Sequence, residues 1–232
     1  MVIESPTLAT AQLEVDPTHK ALRSSNRPLE HVQDNIVGGH YRLSAKSGSL
    51  TSAAVVADGA LFSFRWTQPN MLAVLHYLEA YLVPTVVFTA QQELGLDAIL
   101  ASAFSASDSG GTAIINPSRV RRNTQQPSLL GDARIATTSV VTAGTRTLDT
   151  NAFISGSGLV NVVNAAAGTA YVNPGGGDPP FGFRYQPRVE AGEHPIVLSA
   201  NEGIIVRNKV IFPAAGAAVL IVNMGWAEVP VY

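Results

Sequence analysis

The stretch Pro195-Ile-Val-Leu-Ser-Ala-Asn-Glu-Gly-Ile-Ile-Val-Arg-Asn-Lys-Val-Ile-Phe-Pro213, continued by Ala214-Ala-Gly-Ala-Ala-Val-Leu-Ile-Val-Asn-Met-Gly-Trp-Ala-Glu-Val229, decides the fold. Turn residues join three β runs in it. Asn201-Glu-Gly203 parts Ile196–Leu198 from Ile204–Phe212, and Pro213-Ala-Ala-Gly216 parts that run from Val219–Val229. The pattern predicts a three-stranded antiparallel meander closing an all-β sandwich. Side chains alternate between the faces of a strand, so Ile204, Val206, Val210 and Phe212 share one side with Asn208. Ile205, Arg207, Lys209 and Ile211 share the other, which makes one side core and the other partly wet. Val219–Val222 is apolar on both sides, as in a strand covered within the domain or at a subunit contact.

Working outward, Thr51–Ala57 and Ala60–Trp66 flank Asp58-Gly59, a dipeptide suited to a two-residue hairpin turn. Phe62, Phe64 and Trp66 then line one face, and an aromatic row at period two reads as core. Met71–Phe88 is almost free of charge and reads as strands on either side of a bend at Pro84. Thr89-Ala-Gln-Gln92 has capping-box spacing, and Leu96, Ile99, Leu100, Ala103 and Phe104 recur at three and four residues, which predicts one short helix ending before Ser107. Thr112–Ile115, Asp132–Thr142, Arg146–Ile154 and Phe181–Tyr185 read as strands, and Val160–Val163 as a strand or an ordered loop. Asn116–Gly131 and Asn173–Pro180 read as loops. The expected fold is therefore a jelly-roll-like antiparallel β-sandwich with one short helix and an extended N-terminal arm.

The arm is expected over residues 1–45 and the sandwich over 46–232. Pro6, Pro17 and Pro28 punctuate the arm, and no stretch of it sustains a period of 2 or 3.6. It reads either as a floppy tail or as an arm lying on a neighbour. Leu8, Leu13, Val15, Leu22, Leu29, Val32 and Ile36 are the candidate contacts with a shell or a sister subunit, being more apolar side chains than a solvated linker needs. Arg119, Arg121 and Arg122 form the one basic cluster, either a solvated loop or a contact with an acidic partner.

Charged residues make up only 14% of the 232, and the formal net charge is −2. Such a surface offers little repulsion between copies and suits assembly. The absence of a strong basic excess argues against nucleic-acid wrapping. With no cysteine, disulfides and thiolate metal sites are excluded. The start, Met1-Val-Ile-Glu-Ser-Pro6, does not read as a secretory signal, and the charge-free run Val210–Ala227 is divided by Pro213, Gly216, Asn223 and Gly225 into strand-length pieces, so no membrane segment is expected.

No catalytic set emerges. His19, His31, His40, His76 and His194 never fall at metal-ligand spacing, so neither a metal nor another cofactor is expected. Gly156-Ser-Gly158 lacks the surroundings of a nucleophile elbow. Gly175-Gly-Gly177 is not followed by the Lys-Ser/Thr of a phosphate loop. Glu190 and Glu193 read as turn residues rather than as paired acids. No small-molecule substrate is implied.

Ser63-Phe-Arg-Trp66, Asp108-Ser-Gly-Gly-Thr112, Asp132-Ala-Arg-Ile-Ala-Thr-Thr138, Thr142-Ala-Gly-Thr-Arg-Thr-Leu148, Pro195–Asn208 and Trp226-Ala-Glu-Val229 together resemble a group of virion structural proteins of tailed bacteriophages, over residues 45 to 232. The resemblance implies a structural particle protein rather than an enzyme. On that basis the leading expectation is a capsid cement or decoration protein on the outside of the head shell. Its partners would be the major capsid protein and copies of itself, as a homotrimer at capsomer junctions, and assembly would take place in the host cytoplasm. The alternative is a tail-fibre or tail-tip module binding a host receptor through Tyr171, Phe181, Phe183 and Tyr185. A β-sandwich polysaccharide hydrolase is a third reading.

Overall fold

A computed structural model describes residues 3–5, 8–13, 39–52, 54–86, 88–114, 120–121, 127–160, 181–188, 191–212 and 215–230. The chain divides into two units, Met1–Asp34 and Asn35–Tyr232. In the first, β1 (Ile3–Ser5) and β2 (Leu8–Leu13) form an antiparallel pair with Ile3 opposite Leu13.

The second unit is an all-β sandwich of two antiparallel sheets. Its strands are, in chain order, β3 (Gly39–Lys46), β4 (Leu50–Thr51), β5 (Ala60–Trp66), β6 (Met71–Val86), β7 (Gln92–Ser102), β8 (Thr112–Ala113), β9 (Val120–Arg121) and β10 (Asp132–Ile135). Then come β11 (Thr147–Leu148), β12 (Ile154–Val160), β13 (Gly182–Tyr185), β14 (Ile196–Leu198), β15 (Glu202–Asn208) and β16 (Ala217–Pro230). Sheet I has the order β11-β7-β15-β5-β10-β8, with β12 also on β7. Sheet II has the order β13-β6-β16-β3-β9, with β14 on β6 and β4 on β16.

The aromatic row of β5 lies where its period places it. Phe62, Phe64 and Trp66 are fully buried, and the Phe64 ring meets Trp226 of β16 edge-on at 5.2 Å while Tyr41 of β3 stacks on Trp226 at 5.8 Å. This contact joins the two sheets. Each such side chain withdrawn from water contributes about 1.5–3 kcal/mol. Ile204, Val206 and Asn208 share the inward side of β15, as the alternation requires.

The C-terminal strands exist but form no meander. β14 pairs with β6 in sheet II, β15 lies between β5 and β7 in sheet I, and β16 returns to sheet II between β6 and β3. The turn at Asn201, whose φ of 64° suits Asn, explains the first crossing. Its backbone groups are spent on other elements: Asn201 N–H donates to Trp66 O at 2.8 Å, and Asn201 O accepts from Phe104 N–H at 2.8 Å. The turn therefore docks on β5 and leads the chain into sheet I.

The expected helix is absent, and Gln92–Ser102 is the strand β7. This strand lies between β15 on one side and β11 with β12 on the other, and it is buried on both faces from Leu94 to Ile99. Burial on both faces removes the period of two, so the spacing of its leucines carried no helical information.

Smaller readings also change. Asp58 does take a left-handed turn, φ 58°, but the run before it is not a strand partner of β5, and Leu50–Thr51 pairs with β16 instead. β6 passes through Pro84 as one strand of 16 residues, with a bulge opposite Ala217 and Ala218 absorbing the missing N–H. β10 ends at Ile135 and β11 spans only Thr147–Leu148, shorter than the runs read there. The sandwich also begins before residue 46, because Gly39–Lys46 pairs along its whole length with β16.

On one side of the sandwich glycines bring backbones into contact, beside the ring pair of Phe153 and Tyr185. A Cβ on Gly156 of β12 would lie 1.8 Å from Gly182 O, and one on Gly182 of β13 would lie 2.0 Å from Ala80 O. The first contact brings the edges of sheets I and II together backbone to backbone and the second lies within sheet II, so neither position admits a side chain.

Candidate functional site

Three buried carboxylates occur among the described residues, Asp97, Asp108 and Glu228, and each holds the fold. Asp108 pairs with Arg146, their side chains 0% and 5% exposed, and its other oxygen accepts from Gly144 N–H at 2.8 Å. Burial pushes the Arg146 guanidinium down to about 10, which leaves it protonated at neutral pH. Arg146 and Arg65 both lie over the Phe104 ring, at 5.4 and 5.7 Å. Arg65 donates to Phe104 O, Ser105 O and Ser107 Oγ at 2.6, 2.7 and 3.0 Å. Phe104 itself sits on Gly203, where a Cβ would meet its ring at 2.8 Å. The loop after β7 and the loop before β11, bridged at Ser109 and Thr142, are thus fastened to the outward side of sheet I. On that side Leu61, Ser63, Ile99 and Ile205 are all buried.

Asp97 receives Arg207 bidentately at 2.8 and 2.9 Å, with Asp58 at 3.4 Å from the same guanidinium, and the hydrogen bond to Asp97 raises the Arg207 pKa. Glu228 accepts from Ser128 Oγ at 2.6 Å, Leu129 N–H at 3.1 Å and Trp226 Nε1 at 3.2 Å. It anchors the segment before β10 to the end of β16. Among the described residues no cluster of three or more His, Asp or Glu side chains is placed to hold a metal ion, and no helix is long and apolar enough to cross a membrane.

Sheet II presents a different outward side. Arg42, Ser44 and Lys46 of β3, Asn223 of β16, Tyr77, Glu79 and Tyr81 of β6, and Arg184 of β13 all face outward, the first three and Arg184 exposed. A hydrogen-bonded line crosses it. Tyr77 OH donates to Glu79 Oε2 at 2.7 Å, Asn223 Nδ2 donates to the same oxygen at 3.2 Å, and Ser44 Oγ donates to Asn223 Oδ1 at 2.8 Å. Arg184 lies over the Tyr77 ring at 5.3 Å. Burial, then the bond to Glu79, pushes the Tyr77 phenol up to about 12, so it stays a neutral donor.

Of the arm contacts, Leu8 and Leu13 lie on β2, while Val15, Leu22, Leu29, Val32 and Ile36 fall outside the described residues. Of the arginine cluster, Arg121 lies on β9, paired with β3 opposite Tyr41, while Arg119 and Arg122 fall outside. The loop aromatics named for receptor binding do not form an exposed patch. Phe181 and Phe183 are buried at 1% and 2%, and the Tyr185 ring packs edge-on against Phe153 while its hydroxyl oxygen accepts from Ile196 N–H; Tyr171 lies outside the described residues. The outward side of sheet II is not legible in the sequence, because its residues come from four strands whose pairing no local pattern displays. Comparison with protein-family models, curated proteins and solved structures finds no match.

Proposed function

We propose that this protein is a non-enzymatic structural component of a tailed-bacteriophage virion, a cement or decoration protein that binds the outside of the head shell and stabilises it. The observation that carries this reading is the contrast between the two outward sheet faces. Loops are fastened over sheet I, whereas sheet II offers a broad face bearing tyrosines, arginines and neutral polar groups. That composition matches protein contacts, in which Tyr and Arg are enriched.

The segments that carry the sequence resemblance support the same reading. Arg65, Asp108, Arg146 and Asn201 come from four of them and meet in one cluster around Phe104, with Arg65 also 3.5 Å from Asn201 Oδ1. These segments build a rigid scaffold, which suits a body whose task is to hold a surface in place. A jelly-roll-like body, a homotrimer at capsomer junctions and an arm reaching a neighbour complete the proposal. An arm that orders on binding would stabilise the shell by mass action.

The test is the thermal resistance of undecorated shells, followed by light scattering with and without the purified protein. A rise in the disruption temperature that saturates with added protein is expected. No rise, together with binding to host cells, would replace the head assignment with the tail.

A further inference from the structure

We infer that the outward side of sheet II is a docking surface for an acidic protein surface, with Arg42, Lys46 and Arg184 as its cationic contacts. These three are exposed, and among the described residues none of them is in an ion pair. The carboxylate on this side, Glu79, is already engaged by Tyr77 and Asn223. The face is therefore locally positive, in a chain whose formal net charge is −2.

Elsewhere three exposed or partly exposed arginines find carboxylates: Arg134 bonds Asp132 at 2.9 Å, Arg188 bonds Glu193 at 3.1 Å and Arg207 bonds Asp97 at 2.8 Å. Among the described residues Arg65 and Lys209 also lack a carboxylate, but the outward side of sheet II gathers three such cations on one face. A second copy presenting this face would meet it with like charge, which disfavours pairing. Nucleic acid would call for many more cations tracking phosphates. An acidic protein surface meets both the charge and the tyrosines, because Tyr77 and Tyr81 supply rigid contact area at small entropic cost.

The identity of the partner, the shell, rests on the function proposed above, whereas the face and its charge preference do not. The experiment measures binding of the full chain to undecorated shells and, separately, to a sensor coated with poly-L-glutamate, at several salt concentrations. Variants Arg42→Glu/Lys46→Glu and Arg42→Gln/Arg184→Gln are compared with the control Arg188→Glu/Lys209→Glu, which shifts charge as much as the first variant, and more than the second, at positions outside the strands of this face. Unchanged Trp fluorescence and urea midpoints confirm that each variant is folded.

The expected result is salt-sensitive binding by the wild type, weakened about tenfold or more by the face variants and within about twofold of wild type in the control. Shell binding that all variants retain overturns the face and leaves the function standing. Glutamate-sensor binding with the expected order of variants but no shell binding keeps the face and overturns the function. Binding to neither overturns the face. Tighter binding to duplex DNA than to either probe, or loss of oligomer mass in the face variants, also contradicts the inference by naming nucleic acid or a second copy as the occupant.

Discussion

Replacing Asp108 with Ala tests the claim that the loops over sheet I are held by a buried ion pair. The change leaves Arg146, 5% exposed, without its counter-ion and leaves Gly144 N–H without its acceptor. Removing one partner of a buried pair costs about 3–5 kcal/mol, because the remaining charge is stranded away from water. A domain has only about 5–15 kcal/mol of stability, so the loss is a large share of the whole. Replacing both partners with apolar side chains removes the stranded charge, and Asp108→Leu/Arg146→Met should recover most of the loss. The assay is urea unfolding followed by the fluorescence of Trp66 and Trp226, both buried. The single variant should lower the midpoint by about 1–3 M, given the usual urea dependence. A loss under about 1 kcal/mol would refute the role of the pair. A double variant as unstable as the single one would show that packing, not charge, is at stake.

Gly182→Ala should cost about 1–3 kcal/mol or more, since the new methyl would fall 2.0 Å from Ala80 O, whereas Gly225→Ala, with neighbours no nearer than 3.8 Å, should change the urea midpoint little. Tyr77 ionises near 12 when folded against its ordinary 10.0, so it contributes stability that is fully present below pH 10 and is lost as pH rises toward 12. The Tyr77→Phe variant should lack a tyrosinate absorbance step near pH 12 and lose less stability than wild type across that window. Deletion of residues 1–34 should leave the urea midpoint of the body unchanged while weakening shell binding. Deletion of 1–46 should abolish folding, because it removes β3 from between β16 and β9.

The elements whose surroundings are asymmetric were legible in the sequence. β5 shows its aromatic row because Phe62, Phe64 and Trp66 face the other sheet, and β13 shows its bounds because Asn173–Pro180 and Pro187 flank it. β7 was not legible, since a strand buried on both faces carries no alternation. The first C-terminal turn lies at Asn201, as the sequence suggests, but joins other partners, and β15 ends at Asn208 rather than at Phe212. A turn states where the chain reverses, whereas Asn201 crosses between sheets because its backbone bonds Trp66 and Phe104, residues distant in sequence. The candidate face was hidden for the same reason: Arg42, Tyr77, Arg184 and Asn223 become neighbours only through strand order. The segments Ser63–Trp66, Asp108–Thr112 and Thr142–Leu148, far apart in the sequence, likewise meet around Phe104 only through the fold.

The most direct test of the central claim is cosedimentation of the purified protein with undecorated capsid shells, with the copy number bound per capsomer measured alongside the mass of the free oligomer. The account expects saturable binding at a fixed copy number that matches the oligomer mass. Failure to sediment with shells at any concentration would contradict it.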